Sequence, residues 1–120
     1  MTDPALEALR DRLDAATEPE AALLRATAAA LAPVFGIPAP AEAEIGAGPV
    51  QAALGLVERC LPGWSIHLTG QACRPNGHWS CALRASDTSD NDELIGTARS
   101  PDPALALLCA LVRVAILKSR

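Results

Sequence analysis

The segment Asp102-Pro-Ala-Leu-Ala-Leu-Leu-Cys-Ala-Leu-Val-Arg113 contains the longest unbroken apolar run of the chain, from Ala104 to Val112. Asp followed by Pro predicts a helix that begins at Pro103 with Asp102 as its N-cap. Because the run is apolar on nearly every side of a helix, neighbouring elements must cover it on more than one side. It is far shorter than the roughly 20 residues that cross a bilayer, so it predicts a buried helix.

Three strands are expected before this helix, because apolar and polar residues alternate there with a period of two. The third strand is centred on residues 93–99, and turn-rich segments at 74–77 and 86–92 separate the three strands, which fits an antiparallel meander. The apolar face of the sheet is predicted to carry Trp64, Ile66, Leu68, Trp79, Cys81 and Leu83.

A further helix precedes the strands. Gly48-Pro49 is expected to open it and Pro62-Gly63 to end it. Residues 48–117 therefore form a predicted αβββα core, in which the two helices cover the apolar sheet face. The apolar stripe of this helix is predicted to consist of Val50, Ala53, Leu54, Val57 and Leu61.

The N-terminal third predicts a helical hairpin at residues 1–32. Asp3-Pro4 caps a first helix with its apolar stripe at Leu6, Leu9, Leu13 and Ala16. Thr17-Glu18-Pro19-Glu20 fits a capping box, and a second helix should end before Pro33. Residues 33–47 form a linker rich in proline and glycine, whose apolar residues suggest that it lies along the domain.

These elements predict a single domain of 120 residues, of class α+β with a three-stranded antiparallel sheet. The hairpin covers the second sheet face in one arrangement, which gives an α/β/α sandwich. In the other arrangement that face serves a partner or a second copy of the chain. Removal of residues 1–47 should leave 48–120 folded if the αβββα unit holds the main core.

Charge and composition exclude several classes of protein. A net charge of −4 and a pI near 5.0 give no broad basic field for nucleic acid or anionic membranes. The first residues carry acids and no cationic or apolar leader, so a cytoplasmic location is expected. In that reducing compartment the four cysteines, Cys60, Cys73, Cys81 and Cys109, are expected to be thiols.

Three stretches, Leu9–Glu20, Ala52–Trp64 and Asp102–Arg113, together resemble small uncharacterised proteins of tailed phages and prophages, the phage ABA-sandwich-domain proteins. The resemblance spans most of the chain in the same order and implies the sandwich fold and a phage or prophage origin. It brings no established activity or catalytic residues. The chain departs from the family pattern at Glu18, where glycine is usual, and at the added Ser100-Pro101 pair.

The sequence argues against several catalytic, metal-binding and nucleic-acid-binding sites. Zinc binding by Cys73, His78 and Cys81, with Cys60 or His67 as a possible fourth ligand, lacks a Cys-x-x-Cys pair. Alternation along one strand also places residues 78 and 81 on opposite faces. Double-stranded-RNA binding needs lysines where this chain has Ser100-Pro-Asp-Pro103. No dinucleotide-binding turn or hydrolase nucleophile has its required context. No metal, no cofactor and no enzymatic activity are therefore predicted.

The candidate binding residues are Ser65, His67, Arg74 and Arg84, which are expected on or near the polar face of the sheet. His67 and Arg84 are suited to an anionic ligand. Three functions follow. The first is a non-enzymatic phage accessory protein that binds a host or phage protein, for example as an inhibitor of host defence. The second is a binder of a small anionic ligand such as a nucleotide, with a pocket between copies, and the third is a structural role in phage assembly.

Overall fold

The structure is a computed structural model that describes residues 4–16, 18, 20–37, 46, 48–70, 79–84, 95–100 and 102–119. Within these residues the chain forms four helices and a three-stranded antiparallel sheet, so the α+β class and the αβββα order are confirmed. In chain order the elements are α1 (Pro4–Ala15), α2 (Ala21–Phe35), α3 (Pro49–Cys60), β1 (Ser65–Thr69), β2 (Trp79–Arg84), β3 (Ile95–Ser100) and α4 (Pro103–Ser119).

The sheet is the predicted meander, with β2 between β1 and β3. Ile66 pairs with Leu83 and Leu68 with Cys81, so the apolar residues of β1 and β2 share one face, as the alternation predicts. Cys81 in turn pairs with Ala98 on β3. We call this the inner sheet face. Its described side chains are Ile66, Leu68, Trp79, Cys81, Leu83, Ala98 and Ser100.

Helix α4 lies at the centre of the molecule. It packs against β2 and β3 on one side and against α1, α2 and α3 on the others. Every side chain from Ala104 to Val112 has zero solvent exposure, as do Val114 and Ala115. The prediction that this helix is covered on more than one side is confirmed.

Helix α3 does not share the covering of the sheet with α4, contrary to expectation. The main contacts of α3 are with α4 and α2, while α4 alone packs extensively on β2 and β3. The buried stripe of α3 consists of Ala52, Ala53, Leu56, Val57 and Cys60. Val50, which was assigned to this stripe, is 37% exposed, because the stripe that meets α4 is displaced around the helix.

The N-terminal hairpin packs on α4 rather than across the second face of the sheet. Leu6, Leu9 and Leu13 of α1 are buried in this contact region, and so is Leu31 of α2. The sequence left two arrangements open. These contacts do not show the arrangement in which helices cover both faces of the sheet. The hairpin stays on the helical side because α4 has apolar surface there that the sheet cannot cover.

Helix α2 differs from its prediction at both ends. It begins at Ala21 after Glu20, whose extended backbone (φ −66°, ψ 147°) acts as N-cap without a side-chain hydrogen bond, so α2 begins after the predicted capping box instead of within it. Thr17 and Pro19 lie outside the described residues, as does Asp3, the expected cap of α1. At its other end α2 continues through Pro33 to Phe35.

The true end of α2 is Gly36, which adopts the left-handed conformation at φ 65°. The amides of Gly36 and Ile37 both donate to the carbonyl of Ala32, which closes the helix as in a Schellman motif. Val34, Phe35 and Ile37 then pack against the core, so the beginning of the predicted linker does lie along the domain. The rest of that linker, 38–45 and 47, lies outside the described residues.

The N-terminus of α4 is capped as predicted. The Asp102 carboxylate Oδ1 accepts the amide of Ala104 at 2.9 Å and that of Leu105 at 3.2 Å. Ser100 Oγ in turn accepts the amide of Asp102 at 3.3 Å. The helix runs on to Ser119, two residues beyond its predicted end.

We expect Asp102→Ala to lower the free energy of unfolding by about 1 kcal/mol, because two amides of α4 lose their side-chain acceptor. Urea unfolding followed by circular dichroism measures this loss. Asp102→Asn is the matched control, because it retains an accepting oxygen and should cost much less. An equal loss in both variants would contradict the capping role.

The packing of the hairpin on α4 reverses the earlier expectation for the fragment 48–120. Without residues 1–47, the side of α4 that meets α1 and α2 would be exposed to water, and large apolar patches favour association over folding. We expect this fragment to lose the cooperative urea transition of the full chain. A cooperative transition in a monomeric fragment would show that the αβββα unit is stable alone.

Candidate functional site

The second face of the sheet, which we call the outer sheet face, is polar and cationic. Ser65 pairs with Arg84, His67 with Ala82, Thr69 with Ser80, and Ser80 with Arg99. Since paired residues share a face, the described side chains of this face are Ser65, His67, Thr69, Ser80, Ala82, Arg84 and Arg99. His67, Thr69 and Arg99 are exposed, and the others are half-buried.

Three of the four candidate binding residues therefore lie together. Ser65 and Arg84 are directly opposite each other on neighbouring strands, and His67 follows Ser65 two residues along the same face. Side chains at such positions are about 5–7 Å apart at Cβ, close enough to contact one ligand. The fourth candidate, Arg74, lies outside the described residues.

A groove of about 670 Å³ lies where the sheet meets α1 and α4. Five of its nine lining residues belong to the outer sheet face, two belong to the inner sheet face, and one each comes from α1 and α4. Its volume falls in the range of about 300–1,000 Å³ that is usual for small-molecule sites. The lining residues are Asp14, His67, Thr69, Ser80, Cys81, Ala82, Ala98, Arg99 and Arg113.

One row of the sheet brings hydrogen-bonding groups together in this groove. Thr69, Ser80 and Arg99 occupy adjacent positions on β1, β2 and β3. Two hydroxyl groups beside a guanidinium supply donors of the kind that anionic oxygens accept. Ser65 and Arg84, by contrast, are at the other end of the same face and do not line the groove.

The groove also contains an ion pair between the hairpin and the central helix. Arg113 Nη2 lies 3.5 Å from Asp14 Oδ2, and both side chains are partly exposed. An exposed pair of this kind contributes about 0–1 kcal/mol to stability. The adjacent Nε of Arg113 is buried and has no hydrogen-bond acceptor among the described residues.

Sequence reasoning found only part of this site. The alternation of the strands already placed Thr69 and Ser80 on the polar face, but their alignment with Arg99 required the register of β3. Asp14 and Arg113 carried no such signal, because they are 99 residues apart and meet only through packing of α1 on α4.

The three described cysteines are free thiols, as expected. Burial raises the pKa of Cys60 and of Cys81 from the ordinary 9.0 to about 11. Burial also raises the pKa of Cys109, to about 12, and the charge of Asp14 and a hydrogen bond to it add to this shift. Each of these thiols is therefore protonated near neutral pH.

Two negative findings apply to the described part of the chain. No helix there is long and apolar enough to cross a membrane. No group of three or more His, Cys, Asp or Glu side chains there is placed to hold a metal ion. Cys73 and His78, two of the three zinc ligands that were weighed, lie outside the described residues.

Comparison with protein families, with curated proteins and with solved structures found no match to this chain. The site therefore has to be interpreted from its own residues.

The raised thiol pKa values predict slow alkylation of Cys60, Cys81 and Cys109 in the folded protein at pH 8, because only the thiolate reacts. Mass spectrometry after iodoacetamide treatment should show these three unmodified when folded and modified in urea. The same shifts predict that stability falls above about pH 9. There the unfolded chain releases thiol protons that the folded chain retains. Fast alkylation of Cys109 in the folded state would contradict its burial.

Proposed function

We propose that this protein is a non-enzymatic binder of a small anionic ligand that carries a phosphate group, and that the groove on the outer sheet face is its binding site. The observation that carries this proposal is the convergence of Arg99, Arg113, Thr69 and Ser80 on one groove of about 670 Å³. Cationic and hydroxyl donors that line one groove suit phosphate oxygens, and the volume of the groove suits a ligand of nucleotide size.

Electrostatics supports the same interpretation. The chain as a whole carries a net charge of −4, yet this groove contains two arginines and one carboxylate, besides His67. A local cationic region on an acidic protein attracts a small anion without attracting long nucleic acid to the remaining surface.

Binding without chemistry agrees with the groups present. Among the residues that line the groove, Cys81 has the side chain with the greatest intrinsic nucleophilicity. This thiol is buried and protonated at neutral pH. Thr69 and Ser80 lie within strands of the sheet, whereas a nucleophilic serine of the hydrolase type needs a sharp strand-to-helix turn.

Binding of a host or phage protein, the first of the three functions considered from the sequence, is the second candidate function. A large exposed apolar patch would point to a protein interface, but among the described residues only Val50 is an exposed large apolar side chain. The groove therefore favours a small ligand over a protein partner. A phage accessory role is compatible with either, since a phage protein that sequesters a small signalling anion would need only such a site.

Isothermal titration calorimetry with pyrophosphate and with ADP, at low ionic strength, tests the proposal. We expect saturable binding of one or both, and weakening by about tenfold in Arg99→Ala because a charged hydrogen bond is lost. Arg25→Ala is the matched control, since Arg25 is exposed on α2 and does not line the groove.

Absence of binding by both probes in the wild-type protein would contradict a phosphate site. Binding that is weakened equally by Arg99→Ala and Arg25→Ala would show general charge attraction instead of a site in the groove.

A further inference from the structure

The ion pair between Asp14 and Arg113 joins the hairpin to the central helix at the groove, because Asp14 lies on α1, Arg113 lies on α4 and both residues line the groove. Its single contact of 3.5 Å is longer than the 2.7–2.9 Å usual for a charge-assisted hydrogen bond. The side chains of Arg113 and Asp14 are 43% and 41% exposed, so water competes with the pair. Little free energy is therefore needed to separate them.

Asp14 accepts from only one of the two donors on one edge of the Arg113 guanidinium. Nη2 and Nε form one edge of the group, with two parallel donors that suit an acceptor with two oxygens. Asp14 accepts from Nη2, whereas Nε is buried and has no acceptor among the described residues. An anion that displaced Asp14 and accepted from both atoms would give Nε an acceptor that the described residues do not supply.

We propose that Asp14 competes with the ligand for Arg113: its carboxylate pairs with Arg113 when no ligand is bound, and it is displaced when a phosphoryl group binds to the Nε–Nη2 edge of Arg113. This inference rests on the proposed function, because it concerns the same groove. It assigns Arg113 to phosphate recognition and Asp14 to the control of affinity. The carboxylate both occupies Arg113 and repels an incoming anion, so it keeps the affinity for phosphate below what the groove could otherwise reach.

The matched pair of variants is Asp14→Asn and Asp11→Asn. Both remove one negative charge from α1, but Asp11 is highly exposed, pairs with Arg10 at 3.5 Å and does not line the groove. In calorimetric titrations with pyrophosphate, we expect Asp14→Asn to bind at least about threefold more tightly than Asp11→Asn. Equal affinities of the two variants, or weaker binding by Asp14→Asn, would overturn the proposal.

Arg113→Lys tests the forked edge. Lysine retains the charge but offers a point donor in place of two parallel ones, so we expect the affinity for pyrophosphate to fall about tenfold. Wild-type affinity in this variant would overturn the assignment of Arg113. Thermal unfolding of each variant checks that the fold is retained, and the exposure of the pair predicts small changes in Tm.

A measurement on the wild-type chain avoids any question of folding. The Nε–H resonance of Arg113, identified by its loss in Arg113→Lys, should shift when pyrophosphate saturates the groove. No shift at saturation would overturn the proposal. If wild type binds pyrophosphate and Asp14→Asn does not differ from Asp11→Asn, this inference fails while the proposed function stands. If neither wild type nor Asp14→Asn binds, both fail.

Discussion

The complete burial of residues 104–112 of α4 is the constraint on which the rest of the structure depends. A helix that is apolar on every side cannot be covered by one three-stranded sheet, so α1, α2 and α3 must complete its environment. The core is built largely from Leu, Ala and Val, with a single Phe in the whole chain. Small side chains allow these helices to approach α4 closely, but each contributes little buried area, so stability depends on all four helices together.

The same constraint creates the candidate site. Because the hairpin packs on the helical side, none of the described helices lies across the outer sheet face, and His67, Thr69 and Arg99 are exposed there. The packing of α1 on α4 also brings Asp14 to Arg113 at one side of the groove. Core packing and the geometry of the candidate site are thus coupled through these two helices, since any change in how α1 docks would move a carboxylate relative to the groove.

Prediction from sequence succeeded where one local signal determined the structure. Asp102-Pro103 fixed the start of α4 because a carboxylate before proline is a strong N-cap. Prediction from sequence was wrong about the end of α2, because the helix continues through Pro33 instead of ending before it. A proline close to the C-terminus removes a single hydrogen bond, and Gly36 supplied the better stop through its left-handed backbone. Packing of Val34 and Phe35 on the core favours the longer helix.

By itself, the sequence determined the α+β class, the order of elements, the meander and the polar face with Ser65, His67 and Arg84, because these follow from periodicity and from local caps and turns. Only the tertiary structure decided that the hairpin and α3 pack on α4, that Arg99 aligns with Thr69 and Ser80, and that Asp14 meets Arg113. Those outcomes depend on which apolar surfaces pack together across long sequence separations. An amphipathic pattern predicts that one face of an element is buried, but it does not identify the element that covers this face.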